Sequence, residues 1–321
     1  EGITFVGPNV EHLRLFGDKG EARSAAIEAG VPVLKGINRG VTLSEAQEFF
    51  KSIKGSVIIK AVAGGGGRGT RIVKSKKDLE SAFVRCESEA KAAFGIGDLY
   101  IEEFMNCARH IEVQIIGDTG GNVIHLGERE CSAQRRNQKV IEIAPAPNFS
   151  PVLREKILKS AVAFAQQQKY QSLGTFEFLV DGNEPSSKFV FIEANARLQV
   201  EHTVTEEVTG IDLVASQIKV ALGGSLSEIG LDLDNAINPK GFAIQARVNL
   251  ETIKPDGSVM PSAGVLTSYD VPTGPGVRTD GFGYVGYETS SAYDSLLAKV
   301  IVHSKTANFQ EASLKSIRAL S

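Results

Sequence analysis

The chain has 321 residues, room for about two domains, and its 35 Lys and Arg against 38 Asp and Glu give a formal net charge of −3 with no basic footprint for nucleic acid. Three widely spaced cysteines, Cys86, Cys107 and Cys131, fit neither a disulfide framework nor a zinc-ligand spacing and read as reduced thiols of a cytosol-like compartment. Apolar runs such as Leu296-Leu297-Ala298 stop far short of the ~18 residues a membrane span needs, so no membrane partner is expected either.

In chain order, residues 3–6 read as a strand ended by Gly7-Pro8-Asn9. Leu13, Phe16, Ala22, Ala25, Ala26 and Ala29 then recur at helical spacing up to Gly30, giving a helical connector. The start without Met in that strand and the stop at Ser321 inside a helical pattern make a longer parent protein the expectation. Residues 31–104 predict a small α+β module: helix 44–52, strand 57–62, a Gly-rich turn, strand 70–74, helix 78–94 and strand 99–104. Hairpins follow, with strands 110–117 and 122–127 joined by Asp118-Thr119-Gly120-Gly121 and strands 175–180 and 189–195 joined by a Gly/Asn/Pro/Ser turn. Helices over 151–169 and 205–222 interrupt them, which predicts an antiparallel α+β domain. Residues 223–241 read as a surface crossing and 274–286 as a Gly-rich loop.

Gly64-Gly65-Gly66-Gly67-Arg68-Gly69 satisfies G-x-G-x-x-G, but the β-branched Thr70-Arg71-Ile72-Val73 that follows reads as a strand, so the dinucleotide reading fails on context. No Lys-Ser or Lys-Thr follows at the P-loop spacing. What remains is a hairpin tip whose backbone N–H groups approach phosphate oxygens without Cβ interference, with Lys60 in the strand before it. A merely mobile turn is the alternative, yet four glycines in a row cost backbone entropy with no structural return. Further on, Glu177 alternates with Phe176 and Phe178, and Glu193, Asn195 and Arg197 share one face of an extended strand. A hairpin sets Glu177 against Glu193, an apposition that wants a cation such as magnesium, unless both simply face solvent.

The runs Lys60 to Gly69, Arg109-His110-Ile111-Glu112-Val113-Gln114, Glu128 to Lys139, Glu142 with Ala144-Pro145-Ala146-Pro147, and Phe191 to His202 together resemble biotin carboxylase of the ATP-grasp superfamily, over nearly the whole chain. The resemblance implies an α+β ATP-grasp fold. It divides the chain into a remnant of an N-terminal Rossmann-like subdomain with its helical linker over 1–32, that subdomain being otherwise missing, a small mobile lid over 33–104, and a larger antiparallel subdomain over 105–321 that is incomplete at its end.

It also implies residue roles. Lys19 and Lys60 would contact nucleotide phosphates under the lid loop of Gly64, Gly65, Gly66 and Gly67; Glu102, Glu103 and Met105 would form the adenine hinge; His110 and Gln134 would hold the ribose side. Glu177 and Glu193, with Asn195 nearby, would bind two Mg2+ or Mn2+ ions. Lys139, Arg197, Gln199 and the Val200 backbone would cradle bicarbonate, Glu201 would be its general base, and Arg247 would stabilise the biotin enolate. Asn137, which stands where many relatives have His, would make ribose or phosphate contacts, and Thr203 replaces a usual Pro.

The implied activity is carboxylation of carrier-bound biotin at the expense of ATP and bicarbonate, the half-reaction shared by acetyl-CoA, other acyl-CoA, pyruvate and urea carboxylases. Implied partners are a biotin carboxyl carrier domain and a carboxyltransferase domain, on the same or a separate chain, in a homodimer or larger assembly, in the cytoplasm or the mitochondrial matrix. Two alternatives stand beside it: another ATP-grasp carboxylate ligase, and a non-catalytic nucleotide-binding relative.

Overall fold

A computed structural model describes residues 2–37, 39–53, 55–63, 69–135, 137–182, 188–231, 238–256, 258–290 and 294–321. The loop of Gly64 to Gly67 with Arg68, expected to cover phosphates, lies outside the described residues.

The expected opening strand over 3–6 does not form: no strand among the described residues pairs with it, and Ile3 and Phe5 are 87% and 67% exposed. The connector is two helices rather than one, α1 (Val10–Gly17) and α2 (Lys19–Glu28). The break is Asp18, whose carboxylate accepts from Gly20 N (2.8 Å) and Glu21 N (2.9 Å) and so starts a new helix, with Lys19 as its first residue.

The next strands are β1 (Gly36–Ile37), β2 (Val57–Ala61), β3 (Thr70–Val73) and β4 (Leu99–Glu103), in an antiparallel sheet of order β1-β4-β2-β3. Its helices are α3 (Leu43–Ser52), started by a Thr42/Glu45 capping box, and α4 (Lys76–Phe94). Val57, Ile59 and Ala61 pack with Leu79, Phe83 and Cys86 of α4, so strand alternation turns Lys60 to the opposite face.

The larger sheet contains β5 (Ala108–Gly117), β6 (Val123–Arg135), β7 (Gln138–Ala144), β8 (Ser172–Asp181), β9 (Phe189–Asn195) and β10 (Phe242–Asn249). A short pair, β11 (Glu251–Ile253) and β12 (Val259–Pro261), and another, β13 (Gly264–Val265) with β15 (Glu288–Thr289), flank it. β14 (Val277–Gly281) and β16 (Leu296–Ser304) complete the order β14-β16-β10-β7-β6-β5-β8-β9. Ile111, Val113 and Ile115 of β5 and Phe176, Phe178 and Val180 of β8 bury one face against α5 (Pro151–Gln167), α1 and α2, with Phe16, Phe164 and Phe176 stacked edge to face. The other face carries the polar residues His110, Glu112, Gln114 and Glu177 between two smaller apolar clusters, one of which seats α6 (His202–Thr209) through Val204 and Val208.

Two expectations change. The helix over 205–222 splits into α6 and α7 (Leu213–Ala221), because Gly210 takes φ +75° and Asp212 caps α7 by accepting from Ala215 N at 2.7 Å. The loop over 274–286 contains β14: Gly276 marks close approach, since a Cβ there would meet His303 O at 2.4 Å. The chain closes on α8 (Phe309–Leu320), and no helix among the described residues is long and apolar enough to cross a membrane.

Candidate active site

Because Ile111, Val113 and Ile115 face the helices, His110, Glu112 and Gln114 of β5 face the polar side. Antiparallel register sets Arg129 of β6 beside Glu112, Glu112 beside Glu177 of β8, and Glu177 beside Glu193 of β9. Three carboxylates in direct apposition repel one another unless cations and donors are interleaved. Here they are. Arg129, wholly buried, reaches Glu112 at 3.3 Å. Lys139 of β7 bonds Glu112, lies 3.4 Å from Glu177 and 2.7 Å from Glu201. His110 Nε2 is 2.7 Å from Glu177, and Lys19 is 2.8 Å from Glu193. Asn195 Nδ2 donates to Glu177 (2.7 Å) and Glu193 (3.2 Å), and Gln199 Nε2 donates to Glu177 (2.9 Å).

Burial alone would favour the neutral acids, but the donors outweigh it. The His110 hydrogen bond and the Lys139 charge hold Glu177 far below the usual carboxylate range. Lys19 likewise lowers Glu193, as do Lys139 and Arg129 for Glu201, again against burial. Burial pulls Lys19 and Lys139 down, yet their carboxylate partners leave both above the usual lysine range. The site is therefore an array of ions at neutral pH. Cys131, buried among Glu201, Arg129 and Glu142, is pushed well up by burial and stays a thiol.

Glu201 does not sit on the strand alternation expected for residues 197, 199 and 201. β9 ends at Asn195, the chain bends, and Glu201 becomes the N-cap of α6. The bend still buries Gln199 and Glu201 in the site, while Arg197 stays exposed and bonds Asn195 Oδ1 (3.2 Å) and Leu198 O (3.3 Å). Glu201 spans two cations, Lys139 on one oxygen and Arg247 on the other at 3.1 Å. Arg247 is fixed by Glu142 (2.6 Å), whose second oxygen accepts from Gln245 (2.8 Å). The carbonyl of Val200 accepts from Lys299 at 3.0 Å.

At the end expected to hold the nucleotide, Lys60 and Arg23 share the buried carboxylate of Glu102, so that group is already paired within the chain. Glu103 and Met105 line a cleft of about 420 Å³ with Val33, Lys35, Asp181 and Val190. Asp181 lies on the same face of β8 as Glu177, and the cleft has the size of small-ligand pockets. His110 and Gln134, expected together, do meet, at 2.9 Å. Asn137 is exposed in the β6–β7 turn at φ +65°, a left-handed conformation that Asn tolerates.

Sequence reasoning gave no role to Glu112, Arg129, Glu142 or Gln245, all of which are buried in this network. The alternation of His110, Glu112 and Gln114 with Ile111, Val113 and Ile115 was the available signal for the first. For a metal, the in-register carboxylates Glu177 and Glu193, with the Asn195 amide bridging them, form a donor set suited to a hard cation, and Lys19 now holds positive charge there. Among the described residues, His110, Glu112 and Glu177 also bring ligand atoms within 4.8 Å of one another, as do Glu112, Cys131 and Glu201.

Comparison with known proteins adds to this geometry. Residues 18–229 match the family model "Carbamoyl-phosphate synthase L chain, ATP binding domain", and 245–321 match "Biotin carboxylase C-terminal domain". The chain is 47% identical to pyruvate carboxylase of Staphylococcus aureus and 49% identical to the mitochondrial pyruvate carboxylase of Homo sapiens, across 100% and 99% of its length. It spans only 28% and 27% of those relatives. Among solved structures, biotin carboxylase of Campylobacter jejuni, in a βγ-ATP complex, is 43% identical with a TM-score of 0.91, over 99% of this chain and 69% of that one. The biotin carboxylase domain of Hydrogenobacter thermophilus 2-oxoglutarate carboxylase, solved as a dimer with MgADP, ADP and bicarbonate, is 40% identical with a TM-score of 0.91, over 99% and 68%.

Proposed function

The chain belongs to the biotin carboxylase family of ATP-grasp enzymes, and we propose on that footing that it carboxylates carrier-bound biotin using ATP and bicarbonate. The observation that carries the reading is Glu201, an ionised, buried carboxylate held between Lys139 and Arg247.

Bicarbonate must lose a proton before its oxygen attacks the γ-phosphorus of ATP, and Glu201 is the group placed to accept it. Lys139 and Arg247 attract the anion into reach, and as it draws their charge away from Glu201 the carboxylate becomes a stronger base. Gln199 supplies a neutral donor, and exposed Arg197 reorients toward the anion once it binds. Lys19 and Lys60 exchange Glu193 and Glu102 for phosphate oxygens, and the cleft beside Glu103 and Met105 takes the adenine. Glu177 and Glu193, with Asn195, would hold Mg2+ or Mn2+, which when bound neutralises charge on the transferring phosphoryl group. Carboxyphosphate would break into CO2 and phosphate, the phosphate taking the N1′ proton of biotin, and Arg247 would bear the resulting enolate charge on the ureido oxygen while N1′ bonds the CO2. His110, Gln134 and Asn137 belong to the ribose and phosphate side of this scheme, and residues 33–104 to its lid.

The partners proposed with this activity are a biotin carboxyl carrier domain and a carboxyltransferase domain, in a dimer or larger assembly. The compartment proposed is the cytoplasm or the mitochondrial matrix; the human relative is named as mitochondrial, and the Staphylococcus aureus one carries no such label. The test is ADP release with Mg-ATP while bicarbonate and biotin are varied separately. Turnover that requires both, and is lost in Glu201→Gln and Glu193→Gln, is the expected result. Turnover indifferent to both would assign the site to another acid.

A further inference from the structure

A second cross-strand row stands beside the acidic one. Register places Asp280 of β14 opposite Lys299 of β16, and Lys299 opposite Arg247 of β10. Arg247 reaches the carboxylate of Glu201 at 3.1 Å, and its neighbour Lys299, only 9% exposed, donates to the carbonyl of Val200 at 3.0 Å. Neighbouring strands thus send cations to consecutive residues of one turn. Lys299 also lies 3.5 Å from Asp280, which Arg278 clasps at 2.8 and 2.9 Å while bonding Glu206 of α6 at 2.7 Å.

The backbone just upstream is fixed as well, since the carbonyl of Gln199 accepts from His202 N (3.2 Å) and is 2.8 Å from His202 Nδ1. Peptide planarity makes these anchors directional, because each N–H points opposite to the carbonyl of the residue before it. Holding the Gln199 carbonyl aims the N–H of Val200, and holding the Val200 carbonyl aims the N–H of Glu201. A buried ammonium committed to a backbone carbonyl is an expensive arrangement for a group that could serve at the surface.

We propose that Lys299 is a positioning residue for the anion site: by pinning the 200–201 peptide it aims the N–H of Glu201 at the bicarbonate and sets the Glu201 side chain between Lys139 and Arg247. The inference rests on the reading that this turn binds bicarbonate. Lys299 would touch neither nucleotide nor bicarbonate, so its loss should act on one Michaelis constant and spare the other.

The experiment is steady-state ADP release by the protein at its full natural length, comparing wild type with Lys299→Met, Lys299→Arg and Asp280→Asn. Freeing a buried carbonyl from a charged donor predicts that Lys299→Met raises the KM for bicarbonate about tenfold, with the KM for ATP changed less than about twofold. Lys299→Arg, which keeps a donor there, should recover most of that loss. Asp280→Asn, which leaves the ammonium but removes its counter-charge, should shift the same constant in the same direction by less. Equal changes in both Michaelis constants, or a Lys299→Met bicarbonate KM at the wild-type value, would overturn the inference. If Lys299→Met does not accumulate as folded protein, an unchanged bicarbonate KM in Asp280→Asn would overturn it. A wild-type protein indifferent to bicarbonate would overturn the parent reading and this inference together, an outcome distinct from failure of the variants alone.

Discussion

The chemistry proposed for the site converges on one side chain, Glu201, whose two oxygens face two different cations. Glu201→Gln keeps the shape and removes the proposed base, so kcat should fall by about 10²–10⁴-fold while Mg-ATP affinity, measured by nucleotide titration, is retained. The same ion pairs fix a pH dependence. Glu177, Glu193 and Glu201 all have folded pKa values below their unfolded ones, so the stability they contribute is present above the unfolded carboxylate range of ~4.3 and is lost as pH falls through the folded values. Thermal melts should accordingly show no loss from these groups between neutrality and about pH 5, then a decline with acid. Lys139→Met takes one cation from both Glu177 and Glu201, which raises their folded values and should start that decline at higher pH. A Lys139→Met protein whose acid limb superimposes on wild type would show that Lys139 does not hold those carboxylates ionised.

Strands made their residues legible and turns did not. Glu177, Glu193 and Asn195 could be placed on one face because strand alternation is local, and the hairpin of β8 and β9 delivers them in register. Glu112 carries the same local signal, but its importance depends on lying between Glu177 and Arg129, a register across three strands that no local pattern contains. Alternation over 197, 199 and 201 misled because the sheet ends at Asn195. The single helix expected over 205–222 misled because Gly210-Ile211-Asp212 is short enough to be absorbed into an apolar periodicity, although Gly210 is a stop and Asp212 a start. That break is testable by itself. A Cβ at Gly210 would meet nothing within 4 Å, so Gly210→Ala should pay only for the left-handed backbone, about 1 kcal/mol by denaturant unfolding, with catalytic constants unchanged. A much larger loss would mean that the α6–α7 corner is held by packing rather than by backbone conformation.

On the scale of the whole molecule, the two largest apolar clusters among the described residues are separate, one under the four-stranded sheet and one under the eight-stranded sheet. They are joined close to the site, where Arg23 of α2 and Lys60 of β2 meet on Glu102 and where Phe191 N bonds Pro32 O at 2.7 Å. Nucleotide held by Lys19 of one part and Lys60 of the other would tie both cores together, so ligand should stabilise the fold as a unit. Bound at about 100 times its Kd, Mg-nucleotide should add about 2.7 kcal/mol, read as a rise in Tm. The metal by itself should matter far less to the fold. Lys19, Asn195, His110, Lys139 and Gln199 already balance Glu177 and Glu193 from within the chain, so the acidic pair does not need an ion to be tolerated. Chelation should therefore abolish turnover while moving the Tm of the nucleotide-free protein by less than roughly 2 °C, under ~1 kcal/mol at this size. A large drop in Tm on chelation would mean that the cation completes the fold, and that the internal donors at Glu177 and Glu193 stand in for it only in part.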